Sequence, residues 1–175
     1  SRPFVALNLA AIPRDLAEAE LFGWARGAFT GAAASRAGAF ESASDGTLFL
    51  DEVAEAPVSV QAKLLRTVEE GVVTRLGTNR PVAHRARVVA ATHQDPSASV
   101  ARGTLRLDLL QRLACLVIRL PPLRERPEDL AAIARRLCRG ATRQSGPSPE
   151  VVAELAGYGW PGNVRELRNV IRRAE

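Results

Sequence analysis

The chain is nearly without lysine: of its 24 basic residues only Lys63 is one. A phosphate-cradling P-loop needs Gly-x-x-x-x-Gly-Lys-Ser/Thr, and Lys63 sits in Gln61-Ala62-Lys63-Leu64 with no glycine before it, so none of these residues form that cradle. Cysteine is almost as scarce. Cys115 and Cys138 lie among apolar neighbours with no second pair and no metal spacing, which excludes a disulfide framework or a zinc site and predicts buried free thiols in a reducing cytoplasm. No apolar run approaches the roughly 20 residues of a membrane helix. No leader is visible either: Ser1-Arg2-Pro3 runs straight into a strand-like segment. Methionine is absent altogether, which suggests an internal piece of a longer protein.

What remains is 46% apolar and 25% charged over 175 residues, the balance of one folded domain or one with a small appendage. The formal charge is +5. Between Arg102 and Arg143 ten arginines face four acids, Asp108, Glu125, Glu128 and Asp129. No basic-aromatic interleaving, helix-turn-helix or zinc pattern accompanies them, so the charge fits phosphate handling and subunit contacts at least as well as DNA.

Glu20 to Ala32, E-L-F-G-W-A-R-G-A-F-T-G-A, stands out. Leu16, Ala19 and Leu21 are apolar at helix spacing, and Gly23 ends that helix. Gly27-Ala28-Phe29-Thr30-Gly31-Ala32 then sets an aromatic and a hydroxyl between glycines, ahead of Ala33, Ala34 and Ser35. This reads either as a mobile loop presenting Phe29 and Thr30 to a partner or as a glycine-rich turn whose Phe29 folds back onto the core.

The remaining elements alternate between strand and helix. Phe4 to Asn8 reads as a buried strand with Asn8 at its tip, and Pro13 as the start of a helix. Thr47 to Leu50 is a buried strand ending in Asp51-Glu52, either a solvated acidic turn or a pair of acids at the ligand-binding edge of a parallel sheet. Pro57 to Glu70 is helical and stops at Gly71. Val72 to Leu76 and Arg87 to Thr92 read as strands joined across Gly77-Thr78-Asn79, with Val88 to Ala91 fully buried. Leu105 to Leu113 reads as an apolar helix carrying Arg106 and Arg112 about 120° apart. Leu116 to Leu120 is predicted to be the last strand, ended by Pro121-Pro122. A helix at Leu130 to Leu137, a loop at Ser145 to Pro149 and a helix through Val151 to Leu155 follow. Asn163 and Glu166 in W-P-G-N-V-R-E-L form a capping-box pattern that puts Arg165 in a first turn.

E-L-F-G followed by G-A-F-T-G-A resembles the signature of bacterial enhancer-binding proteins, the NtrC-like AAA+ ATPases that activate sigma-54 RNA polymerase. P-P-L-R-E-R at 121–126 and W-P-G-N-V-R-E-L at 160–167 resemble the same family, so the likeness spans the chain. The resemblance implies an α/β fold: an AAA+ parallel sheet with helices on both faces at 1–122, lacking the P-loop part, then a small helical lid at 123–175. Asp51 and Glu52 take the Walker B position, Asp51 holding Mg²⁺ and Glu52 polarising the water that attacks ATP. Asn8 resembles the nucleotide-sensing asparagine that relays to that glutamate. Thr92 and His93 fall at sensor I, Arg165 at sensor II, and Arg106 and Arg112 at the arginine fingers that reach a neighbouring subunit. Gly27, Ala28, Phe29, Thr30, Gly31 and Ala32 form the sigma-54 contact, with a second loop around Arg75-Leu76-Gly77 moving beside it. His93 departs from the asparagine of wider AAA+ proteins, and Leu107 stands where the family carries a small or acidic residue.

The expected activity is ATP hydrolysis that remodels the closed promoter complex of the sigma-54 RNA polymerase holoenzyme. The expected setting is cytoplasmic, in a hexameric or heptameric ring that meets DNA through a separate domain and has no membrane contact. Alone, lacking the P-loop, the chain is expected to be nearly inactive. Two rivals remain: an ATPase-degenerate module that docks on sigma-54, and an AAA+ motor of another branch, which would make Phe29 and Thr30 a coincidence.

Overall fold

In the computed structural model, residues 2–138 and 147–174 are described. The chain divides into two units, Ser1–Val117 and Ile118–Glu175. In chain order the elements are β1 (Phe4–Asn8), α1 (Ala17–Phe22), β2 (Gly23–Trp24), β3 (Arg36–Ala37), α2 (Ala39–Ala43), β4 (Thr47–Asp51), α3 (Val58–Glu70), β5 (Val72–Thr74), β6 (Pro81–Ala83), β7 (Arg87–Ala90), α4 (Pro96–Ala101), α5 (Leu107–Leu113), α6 (Pro127–Cys138), α7 (Pro149–Ala156) and α8 (Asn163–Ala174).

The first unit is built on a parallel sheet in the order β1-β4-β7. β4 lies in the middle because Leu48 and Leu50, fully buried, can be covered from both sides. Parallel strands need crossovers, and α1–α2 and α3 with the β5–β6 hairpin supply them. Phe22 and Phe40 stack in the core with ring centroids 5.9 Å apart, and His84 approaches Phe40 at 4.8 Å. α3 buries Val60, Gln61, Leu64 and Thr67 on one stripe and ends at Gly71 in the left-handed region. Lys63 sits 4.6 Å over the Phe22 ring, with its ammonium 3.1 Å from Glu18.

The second unit packs Leu123, Leu130, Ala134, Trp160, Leu167 and Ile171 together. The spacings Leu130–Ala134 on α6 and Leu167–Ile171 on α8 put each pair on one helical face. The Trp160 indole N–H donates to the Leu155 carbonyl at 2.8 Å, so the buried ring keeps a partner for its polar atom. No helix among the described residues is long and apolar enough to cross a membrane.

Several expectations are corrected. Phe4 is 68% exposed and Val89 is also exposed, because β1 and β7 are edge strands and not fully buried ones. Residues 116–120 form no strand: Leu116, Val117, Ile118 and Leu120 are all at least 74% exposed, with no backbone partner among the described residues. Pro13 opens a turn and α1 begins only at Ala17, after a short 3-10 turn at Leu9–Ala11. The segment after Thr74 holds an unforeseen strand, β6, antiparallel to β5. Cys115 is exposed and Cys138 half-buried; both are free thiols. Of the expected loop at 145–149, Ser145 and Gly146 lie outside the described residues.

Phe40 is the most economical probe of this core. Phe40→Ala removes the partner of both Phe22 and His84 and is expected to cost about 3–5 kcal/mol. Urea unfolding that shows a lower midpoint at unchanged slope checks it.

Candidate functional site

The register of the parallel sheet brings the polar strand ends together. Asn8 stands opposite Asp51 across β1–β4, and Leu50 opposite Ala90 across β4–β7, so Asp51-Glu52 lies between the tip of β1 and Thr92-His93 beyond β7. The Ala91 N–H donates to the Leu50 carbonyl at 2.8 Å and the Val53 N–H to the Ala91 carbonyl at 3.0 Å, which holds the two strand ends together past the sheet.

Two hydrogen-bonded pairs result. The Asn8 amide donates to Asp51 Oδ2 at 2.9 Å, while Asn8 Oδ1 accepts from the Ala10 N–H at 2.9 Å. Glu52 Oε2 accepts from the His93 N–H at 3.2 Å and lies 2.8 Å from His93 Nδ1. Asn8 therefore engages Asp51 here, and the partner of Glu52 is His93. Glu52 itself has φ 56° and ψ 50°. A side-chain-bearing residue in the left-handed region carries on the order of 1–3 kcal/mol of strain, and such residues concentrate at active sites. Thr92 Oγ1 accepts from the Gln94 N–H, which shapes the turn behind His93.

No group of three or more His, Cys, Asp or Glu that could cage a metal occurs among the described residues. A single carboxylate such as that of Asp51 could serve Mg²⁺, which keeps waters and phosphate oxygens as ligands and takes one or two carboxylates from the protein.

The glycine-flanked segment is a closed loop. Gly27 N–H donates to the Ala32 carbonyl at 2.9 Å and Ala32 N–H to the Phe29 carbonyl at 3.0 Å. Gly27 and Gly31 have φ of 79° and 98°, values that side-chain-bearing residues rarely adopt, so both ends of the loop require glycine. Phe29 is 46% exposed and leans on Trp24 with centroids 5.6 Å apart. It thus meets both readings halfway: it folds back, but onto an indole at the loop's base and not into the core.

That base is braced. The Trp24 indole N–H donates to the Ala34 carbonyl at 3.0 Å, and the Arg36 guanidinium lies 5.1 Å over the Trp24 ring while pairing with both Glu20 oxygens. Ala25 N–H donates to the Leu76 carbonyl and Leu76 N–H to the Gly23 carbonyl, each at 2.9 Å. Gly77, at φ 77°, comes so near that a Cβ there would lie 2.6 Å from Ala28 Cβ. Arg75 in turn forms a two-pronged ion pair with Glu41 of α2, and that hydrogen bond and the carboxylate's charge raise its pKa. The loop and the segment at 75–77 therefore share one footing.

Arg106 and Arg112 differ from the expected arrangement. α5 begins at Leu107, so Arg106 precedes it in extended backbone, and helix periodicity does not relate the two side chains. Arg106 pairs with Asp108 at 3.0 and 2.7 Å; Arg112 Nη2 donates to the Val68 carbonyl at 3.4 Å. In the second unit Arg165 is exposed near the start of α8. The capping box there is one-sided. Glu166 accepts from the Gly162 N–H at 2.8 Å, but Asn163, at φ 53°, accepts instead from the Leu123 N–H at 2.8 Å. The hydrogen bond from Tyr158 to Glu166, 3.1 Å long, raises the Tyr158 pKa.

Trp24, Glu41 and Gln61 escaped the sequence reading as parts of this arrangement. Gln61 alone left a signal, a polar residue on the apolar stripe of α3 beside Val60 and Leu64.

Residues 1–119 match the Sigma-54 interaction domain family and residues 124–175 the AAA+ ATPase lid domain. The chain is 47% identical over 175 residues to the DNA-binding transcriptional regulator NtrC of Azospirillum brasilense, covering 98% of this chain and 36% of that protein. It is 50% identical over 177 residues to the nitric oxide reductase transcription regulator NorR1 of Cupriavidus necator, covering 98% and 34%. Among solved structures, NtrX from Brucella abortus in complex with ATP superposes with a TM-score of 0.84 at 34% identity, over 98% of this chain and 40% of that one. Hsp104 of S. cerevisiae, at 16% identity and a TM-score of 0.68 over 97% of this chain and 34% of that one, shares the fold. The chain thus spans little more than a third of the length of the curated relatives it matches.

The Arg106–Asp108 pair makes a direct prediction. The hydrogen bond from Arg106, aided by the Leu109 N–H, holds the Asp108 carboxyl below the usual carboxylate range. A depressed pKa means that the contact is present above the ordinary carboxylate value and is lost as pH falls through the lowered one. Carboxyl NMR titration is expected to place Asp108 below the ordinary aspartate value, and Arg106→Ala to move it upward. An Asp108 midpoint that does not respond to Arg106→Ala contradicts the pairing.

Proposed function

The chain belongs to the sigma-54 interaction domain family of AAA+ ATPases, and from that premise we propose that it is the central ATPase domain of a sigma-54-dependent transcription activator. The observation that carries this reading is the meeting of Asn8, Asp51, Glu52 and His93 at the carboxyl edge of the parallel sheet, where such folds bind their ligands.

In the proposed mechanism Asp51 would hold Mg²⁺, which supplies charge neutralisation along the phosphates when bound. Glu52 polarises the attacking water. His93 holds one of its oxygens, Oε2, which orients the carboxylate and leaves Oε1 without a protein hydrogen bond among the described residues. Asn8 orients Asp51 in the same way through its amide. Thr92 and His93 stand where the terminal phosphate would be read, and Arg165, in a lid taken to begin at residue 123, would close over the nucleotide. Arg106 and Arg112 would serve the site of a neighbouring subunit in a ring, proposed to hold six or seven copies. A planar, permanently charged guanidinium suits that task because it spreads charge over phosphoryl oxygens.

The output side is the loop from Gly27 to Ala32. Phe29 and Thr30 would contact sigma-54 in the holoenzyme, and the shared footing with residues 75–77 would transmit nucleotide-dependent shifts to them. DNA would be met by a separate domain, and the setting is the cytoplasm.

Two experiments on the full-length protein test this. Glu52→Ala is expected to abolish ATP turnover while nucleotide binding persists, since the water-polarising carboxylate goes and Asp51 stays. Turnover that survives the substitution removes Glu52 from the chemistry. Thr30→Ala is expected to reduce activation at a sigma-54 promoter far more than it reduces ATP turnover; equal losses of both would overturn the loop assignment.

A further inference from the structure

Gln61 is fully buried on the apolar stripe of α3, where a polar side chain is expensive unless all its groups are satisfied. All are. Its amide donates to the Ala56 carbonyl at 2.8 Å and to the Thr104 carbonyl at 2.7 Å, and its Oε1 accepts from the Arg106 N–H at 2.9 Å. Two of the three bonds thus fall on the short turn that launches Arg106, and the third anchors the turn ahead of α3.

Arg106 needs such a hold. It flanks α5 in extended backbone, with φ −72° and ψ 135°, and its own side chain makes no capping hydrogen bond to the helix end. Leu105 and Leu109, both buried, pin the chain on either side. The Leu105 N–H donates to the Ser99 carbonyl and the Arg106 carbonyl accepts from the Leu110 N–H, which leaves the Arg106 N–H itself to be held by Gln61. The bond from Gln61 sets the direction of the Arg106 N–H and therefore the point and angle from which the guanidinium leaves the surface. Asp108 acts further out, pairing with the guanidinium itself.

We infer that Gln61 is a positioning residue for Arg106, a buried amide that fixes the backbone from which Arg106 reaches a neighbouring subunit's nucleotide. This rests on the reading of Arg106 as a group that acts in trans. Gln61 touches neither nucleotide nor the acids at the strand ends; it acts only through the placement of Arg106. Misplacement of a catalytic group by about 1 Å can cost on the order of a hundredfold in rate. Gln61→Met keeps the volume and removes all three bonds, so turnover of full-length Gln61→Met rings is expected to fall by about tenfold to a hundredfold.

The decisive experiment is subunit mixing. A Gln61→Met chain keeps Asp51 and Glu52 but presents Arg106 badly, whereas a Glu52→Ala chain has a dead site and a well-placed Arg106. Mixed rings join the good half of each, so ATP turnover of the mixture is expected to exceed that of either variant alone. Arg106→Ala mixed with Glu52→Ala is the control. Complementation in the control but not with Gln61→Met overturns the inference and leaves the trans reading intact. A Gln61→Met chain that cannot fold or enter the ring gives this same result and makes Gln61 a stability residue. Failure of the control removes the trans reading, and the inference with it. Normal turnover of Gln61→Met by itself also overturns the inference.

Discussion

The in-register hydrogen bonding of β4 to a parallel neighbour on each side is the constraint on which the rest of the first unit depends. A strand bonded on both edges cannot slide without turning its side chains to the wrong face, and here that would expel Leu48 and Leu50 from the core. Once the register is set, Asp51 must lie opposite Asn8, and the chain beyond β7 must pass beside Glu52. The meeting of polar groups at the strand ends is therefore a by-product of how apolar side chains pack below it. The left-handed turn at Glu52 adds one local contortion, affordable because the bonds around it already over-determine its place.

A series of contacts links the same sheet to the loop at 27–32. α2 leads into β4, and its Glu41 holds Arg75, whose neighbours Leu76 and Gly77 support Ala25 and Ala28. Each link is a hydrogen bond, an ion pair or a close backbone approach. Such a chain of contacts suits a device that turns a change at one site into displacement of a loop at another. The tilted contact of Phe29 with Trp24 holds the loop tip against its own base.

Arginine takes lysine's usual place throughout, and the contacts explain part of the bias. The Arg36–Glu20, Arg75–Glu41 and Arg106–Asp108 pairs are each two-pronged, a geometry open to a guanidinium and closed to an ammonium. Lys63, the one exception, works as a point charge between Glu18 and the Phe22 ring.

The amino-acid sequence by itself determined the elements whose signals are local. Apolar runs ending in Asp51-Glu52, glycines at 27 and 31 around Phe29-Thr30, the Gly71 stop and the family likeness of its motifs were all legible along the chain, and that likeness implied the α/β class with a helical region after it. The tertiary structure alone decided which partners those residues take. Asn8 could have faced either acid, and the register gave it Asp51; Glu52 took His93 because β7 ends beside it. Leu116 to Leu120 has strand composition, yet a strand exists only by pairing, and these residues find no strand partner among the described residues. Arg106 looked helical by spacing, but Gln61, 45 residues earlier, claims its N–H and holds it outside the helix. Periodicity reports what a segment can bury, whereas pairing between distant segments depends on where the whole chain puts its hydrogen-bonding groups.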